Sequence, residues 1–209
     1  MIGIHDFWLF LISGVLLNLT PGQDTFYILG RSIAGGARVG VVSVLGITTG
    51  SIVHTIAAAL GLSALLAASA LAFAIVKFAG AAYLIYLGGK MLLAKTTALA
   101  DDILSPHTLN YWAAYRQGVL SNVLNPKVAL FFIAFLPQFI DANAPHKVLA
   151  FLTLGGTFVF TGALWCLVLA LGAARFRSFF VRNPSARVIV DRTVGGLFVA
   201  LGVRLAVTR

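Results

Sequence analysis

Asp24 and Lys127 are full charges set in apolar surroundings, and each lies just after a proline. The first closes the stretch Asn18-Leu19-Thr20-Pro21-Gly22-Gln23-Asp24, the second Asn122-Val123-Leu124-Asn125-Pro126-Lys127. An acid and a base held away from water can exchange protons or bind the two ends of a zwitterion. A carboxylate in the first turn of a helix is favoured by the helix dipole, whereas a cation there is opposed by it. Lys127 therefore needs compensation from Asp24, from a cluster of carbonyls or from an anionic substrate. Asn18 and Asn122 fit either substrate contacts or the satisfaction of backbone freed at the breaks. His54 lies in another apolar run, where an imidazole can relay protons or form a neutral hydrogen bond between helices. The pair Asp101-Asp102 has no further acid or histidine ligand set and reads as a solvated linker, so neither a metal nor a cofactor is expected.

Two half-helices must position these residues in each copy. Proline at the first helical position behind a Thr or Asn cap marks a helix start, with Pro21 behind Thr20 and Pro126 behind Asn125. Thr20 and Gln23 have the spacing of a capping box. Broken helices survive in lipid only where the freed backbone lines a cavity or packs on protein. The composition requires lipid as solvent: the 209 residues are 60% hydrophobic and 10% charged, with a mean hydropathy of +0.98. A soluble domain carries about a quarter charged residues. The net charge of +9 sits in loops between apolar runs rather than on one basic face, which excludes nucleic acid as its explanation. A single cysteine, Cys166, allows no disulfide framework. Met1 to Asp6 lacks the basic start of a cleaved signal, so the first helix is expected to remain.

Apolar runs of about 20 residues, the length that spans a bilayer, divide the chain into six. The runs are approximately 7–30, 39–66, 72–94, 111–140, 148–174 and 189–207. Lys and Arg concentrate in the loops 31–38, 95–110 and 175–187 and their flanks, which places those loops in the cytoplasm and both termini on the opposite side. The two proline stretches repeat in order, and Lys77-x-x-Gly80 before Leu87-Gly88 is echoed by Arg192-x-x-Gly195 before Leu201-Gly202. Three spans per half force the halves into opposite orientations, and such inverted repeats place a binding site at the midplane. The expected fold is therefore an all-α integral membrane protein with six transmembrane helices in a 3+3 inverted repeat, helices one and four being broken. It forms one membrane domain over 1–209, with repeat one about 1–95, a linker about 96–110 and repeat two about 111–209.

Thr20-Pro21-Gly22-Gln23-Asp24, the turn Gly35-Gly36-Ala37-Arg38 with Gly40, and Arg116-Gln117-Gly118 through Asn125-Pro126-Lys127 to Phe135-Leu136-Pro137-Gln138-Phe139 resemble the LysE/RhtB family of amino-acid exporters. The likeness covers essentially the whole chain, including the region of Gly80 and Tyr83. The family's Pro-Gly-Pro-Asp stands here as Pro21-Gly22-Gln23-Asp24, which alters the cap. The resemblance implies a bacterial inner-membrane exporter of amino acids such as homoserine, threonine, leucine or lysine, driven by the proton-motive force. With the residue reading, it gives as transport residues Asn18, Thr20, Pro21, Gly22, Gln23, Asp24, Asn122, Asn125, Pro126 and Lys127, with Asp24 and His54 as proton relay. The expected partners are a small zwitterionic amino acid, protons and the bilayer, with a homo-oligomer left open. The alternatives are a metal-cation exporter, disfavoured by one midplane acid without a Cys/His/Met cluster, and a membrane-embedded lipid-headgroup transferase.

Overall fold

The structure is a computed structural model that describes residues 2–62 and 110–173, together with residues 78, 82, 85, 86, 89, 92, 192, 196, 199, 200 and 203. The expected linker, the 175–187 loop and the repeat features at Lys77, Gly80, Tyr83, Asp101 and Asp102 lie outside the described residues, as do most of the third and sixth apolar runs. Among the described residues the protein is helical, without strands. Helix α1 covers Phe7–Leu19 and α2 covers Gln23–Ala57, continued by a wide turn at Ala58–Leu62. Helix α3 covers Tyr111–Val123 and α4 covers Pro126–Leu130, which widens over Phe131–Phe135 and tightens over Leu136–Phe139. Helix α5 covers Lys147–Leu171.

Among the described residues, two helices, Gln23–Leu62 and Lys147–Leu171, are long and apolar enough to cross a membrane. The pair Tyr111–Val123 and Lys127–Phe139 makes a third candidate, bent by 47° at its break. Helix α2 is not one straight rod. Gly36 interrupts it at φ 76° and ψ 178°, a conformation that side chains other than glycine's strongly disfavour. Asp24 and Ser51 both hydrogen-bond the side chain of Asn122, yet 27 helical residues would separate them by about 40 Å. The chain must therefore fold back at Gly36, leaving two antiparallel limbs, 23–35 and 37–57. The basic turn expected over 31–38 is thus a single residue inside helix.

The second limb of α2 lies directly on α3. A Cβ at Gly46 would fall 2.2 Å from the Tyr115 carbonyl oxygen, and one at Gly118 would fall 2.8 Å from that of Ser43, so both glycines permit backbone contact. Across the break from α3, an aromatic cluster forms around Phe10, Phe131, Phe135, Phe139 and Phe158, with Phe131 and Phe158 at 4.4 Å between ring centroids. A second apolar cluster joins Ile28, Leu29, Val44, Ile47, Leu169 and Ala170. The N-terminal segment is clasped to the end of the α4 segment: Ile4 bridges Ile140, His5 N–H donates to the Phe139 carbonyl, and Asp141 N–H donates to that of Gly3. Trp8, Leu124, Phe160 and Leu171 are exposed, while Ser43, Ser51, Asn122 and Asn125 are buried. A protein with apolar outside and polar groups inside is built for lipid.

Candidate transport site

The second break forms as its residues dictate. Asn125 is the cap of α4, its Oδ1 accepting from the Lys127 N–H at 3.0 Å, and Pro126 occupies the first turn. The first break departs from the expected pattern. Helix α2 starts at Gln23 behind Gly22, with no side chain capping it, so Pro21 lies before the helix and the capping box is absent. The reason is local: Thr20 terminates α1, and its hydroxyl donates back to the Leu16 carbonyl at 2.8 Å. A hydroxyl spent on the preceding turn cannot cap the following one.

Both breaks meet. The Asp24 carboxylate accepts from three side chains of the other half: Ser121 Oγ at 3.2 Å on Oδ1, and Asn122 Nδ2 at 2.8 Å and Asn125 Nδ2 at 3.0 Å on Oδ2. Ser51 Oγ donates to Asn122 Oδ1 at 3.2 Å, and His54 Nε2 lies 3.1 Å from the Asn122 carbonyl oxygen. Lys127 reaches the other way. Its Nζ donates to the carbonyls of Leu17 at 3.2 Å and Thr20 at 3.0 Å, the last turn of α1 and its cap. The negative end of α1 is a favourable partner for a cation, offsetting the unfavourable start of α4. Gly22 makes room for it, since a Cβ there would stand 3.1 Å from Nζ. Asn18 binds Thr161 of α5, Nδ2 to Oγ1 at 3.3 Å, and Asn122 binds Asp24; neither amide caps a freed backbone group in these bonds.

A cavity of about 40 Å³ lies at this meeting point, lined by Asn18, Asp24, Thr25, Thr48, Ser51, Asn122 and Lys127 on the polar side. Ile47, Val128, Phe158, Val159, Ala163 and Cys166 line the apolar side. Val128 and Phe158 belong to the aromatic cluster and Ile47 to the second apolar cluster, so packed side chains flank the cavity on both sides. Of the residues singled out from sequence, Asn18, Asp24, Asn122 and Lys127 line it, Asn125 and Gly22 support it, and Thr20 offers its carbonyl to Lys127. Gln23 begins α2, and Pro21 forms the linker before it. His54 stacks on Phe132 at 5.7 Å and reaches the polar groups of the site through the Asn122 carbonyl. Sequence reasoning passed over Ser51, Ser121 and Thr161, and weighed Cys166 only as a disulfide partner. Ser121 adjoins the second break and Ser51 adjoins Gly50 on the packed limb; those positions were the available signals.

Residues 15–209 match the protein family described as LysE type translocator. The chain is 28% identical over 207 residues to a leucine efflux protein of Salmonella typhimurium, covering 98% of this chain and 96% of that protein. It is 32% identical over 208 residues to an uncharacterized membrane protein of Pseudomonas aeruginosa, with 98% and 96% covered. A membrane protein of Vibrio cholerae is 32% identical over 206 residues, with 99% and 98% covered. No solved structure matches the chain significantly.

Proposed function

The chain belongs to the LysE type translocators, and from that premise we propose that it is a secondary active exporter of a small zwitterionic amino acid or derivative, driven by the proton-motive force. The observation that carries this reading is the convergence of Asp24 and Lys127, one from each half, on the wall of one cavity. The substrate ammonium lies toward Asp24, and its carboxylate toward the Lys127 ammonium on the same cavity wall. Its side chain faces Phe158, Val159 and Ala163, an apolar wall suited to a small aliphatic group. The leucine efflux protein among the relatives supports the amino-acid class. Translocator membership favours a transporter over an embedded transferase. The cation alternative is disfavoured because the Asp24 oxygens are taken up by hydroxyl and amide donors rather than turned toward other acids.

Ligand pockets usually enclose about 300–1,000 Å³, far more than this cavity, so loading requires one flanking cluster to part while the other stays packed. That is alternating access around a fixed site. The six-span inverted repeat is supported by the two breaks meeting and by the limb 23–35 running antiparallel to α3, with Asp24 on Asn122 and Arg31 on Gln117. The clasp of Gly3 to His5 on Phe139 to Asp141 supports a common side for the N-terminus and the end of span four, with the termini periplasmic in the bacterial cytoplasmic membrane. Of the two proton carriers considered, Asp24 faces the cavity, whereas an amide residue stands between it and His54. Proteoliposomes with an imposed proton gradient test the reading. At least one small amino acid should be driven across, the free acid competing and its methyl ester failing to compete. No amino acid moved under either gradient polarity would overturn the export reading, and equal competition by the ester would overturn the binding mode alone.

A further inference from the structure

We propose that Asn122 and Asn125 are positioning residues that lock the two halves together only while Asp24 is ionised, so that its protonation unlatches them. This rests on the reading of Asp24 as the proton carrier given above. All three groups on the carboxylate belong to the second half: Ser121 and Asn122 on α3 and Asn125 at the start of α4. Two of them are amide NH₂ groups, which donate and cannot accept, and both point at the same oxygen, Oδ2. Their other ends are already committed. Asn125 Oδ1 caps α4, and Asn122 Oδ1 accepts from Ser51, so neither amide can flip to present an acceptor without forfeiting that bond. Both residues are nearly inaccessible, at 1% for Asn122 and 3% for Asn125.

A proton has two places to go. On Oδ2 it meets two N–H groups, and at least one must withdraw. On Oδ1 it can be accepted by Ser121 Oγ after the hydroxyl rotates, leaving Oδ2 a neutral carbonyl oxygen. Hydrogen bonds to a charged acceptor are roughly twice as strong as neutral ones, so this route weakens both amide bonds at once. In either case the bond network between the halves loosens when the proton arrives and tightens when it departs. The other titratable or charged groups near Asp24, among the described residues, are Lys127 from α4 and Cys166 from α5 along the cavity wall, with His54 behind Asn122. Lys127 holds carbonyls of α1 and its cap, so a neutral Asp24 leaves a cationic cavity ready for a carboxylate.

Cys166, the sole cysteine and a residue of the cavity wall, reports the opening without any substrate. The purified full chain in lipid is treated with N-ethylmaleimide, and the labelling rate of each variant is divided by that of the wild type at the same pH. Asp24→Asn retains an acceptor but no charge. It should label faster by on the order of tenfold at high pH; loss of a neighbouring negative charge also speeds a thiolate reaction by itself, so the result is read beside Asn125→Asp, whose added charge acts on the thiol in the opposite sense. Asn125→Asp keeps the cap, since Asp and Asn cap equally well, but turns a carboxylate toward Asp24. Its ratio should exceed one at high pH, where two ionised acids repel, and drop below one at low pH, where they share a proton. This inversion is what a merely structural Asn125 would not produce. An Asn125→Asp ratio that is independent of pH, or that stays at or below one at high pH, would overturn the lock. Because no amino acid is present, these outcomes are independent of whether the cargo has been identified correctly.

Discussion

The two helix breaks come from matching sequence stretches, yet they end up with opposite chemistry. The first, at Thr20-Pro21-Gly22, is rich in acceptors: carbonyls of Leu17 and Thr20 and the carboxylate of Asp24. The second, at Leu124-Asn125, is rich in donors: the amides of Asn122 and Asn125, the Ser121 hydroxyl and the Lys127 ammonium. The second caps itself through Asn125, whereas the first has no side-chain cap and depends on groups of the other half. Two identical breaks meeting in this way would set like against like. Divergence into an acceptor half and a donor half makes the site a property of the pair.

The largest effect should follow from removing the donor that crosses farthest. Lys127→Met leaves the carbonyls of Leu17 and Thr20 without their ammonium and should cut export by roughly 100-fold, the factor for about 3 kcal/mol of lost charge compensation. Immunoblots of the membrane fraction should show normal insertion. Export at the wild-type rate would make the two breaks independent. Gly22→Ala tests the contact between them more finely, because its Cβ would stand 3.1 Å from Lys127 Nζ. A loss of about three- to tenfold is expected in the wild type and none further in Lys127→Met, as for coupled neighbours; additive losses would show that Gly22 acts on its own backbone instead. The smallest effect is expected from His54→Gln, whose amide can still donate to the Asn122 carbonyl. Gradient-driven export should stay within about twofold, given the weak net worth of one neutral hydrogen bond. Abolished export would return the proton path to His54.

What could be read from the sequence was what depends on neighbours in the chain. Asn125-Pro126 specifies a cap and a first turn within two residues, and the structure has both. Thr20 and Gln23 carried an equally legible pattern, but Thr20 had a nearer acceptor in the Leu16 carbonyl, and the competition went to the preceding helix. Asp24 and Lys127 stood out because charge at depth is costly. That Lys127 turns to carbonyls and Asp24 to amides could not be read, because it depends on how segments about 100 residues apart pack. Ser51 and Ser121 escaped notice for the opposite reason: serine in an apolar helix usually satisfies itself on the preceding turn. The fold-back at Gly36 was visible as a Gly-Gly turn with flanking arginines, although helix extends to the hinge residue itself.

The clasp between the N-terminal segment and residues 139–141 sets a timetable for biosynthesis. Ile4 leaves the ribosome 136 residues before its partner Ile140, an interval of roughly 7 to 30 s at about 5–20 residues per second. Throughout it, the Gly3 carbonyl and the His5 amide can be served only by water or lipid headgroups. The start of the chain is therefore among the last parts of this region to settle, and a nascent chain arrested before Phe139 can never close it.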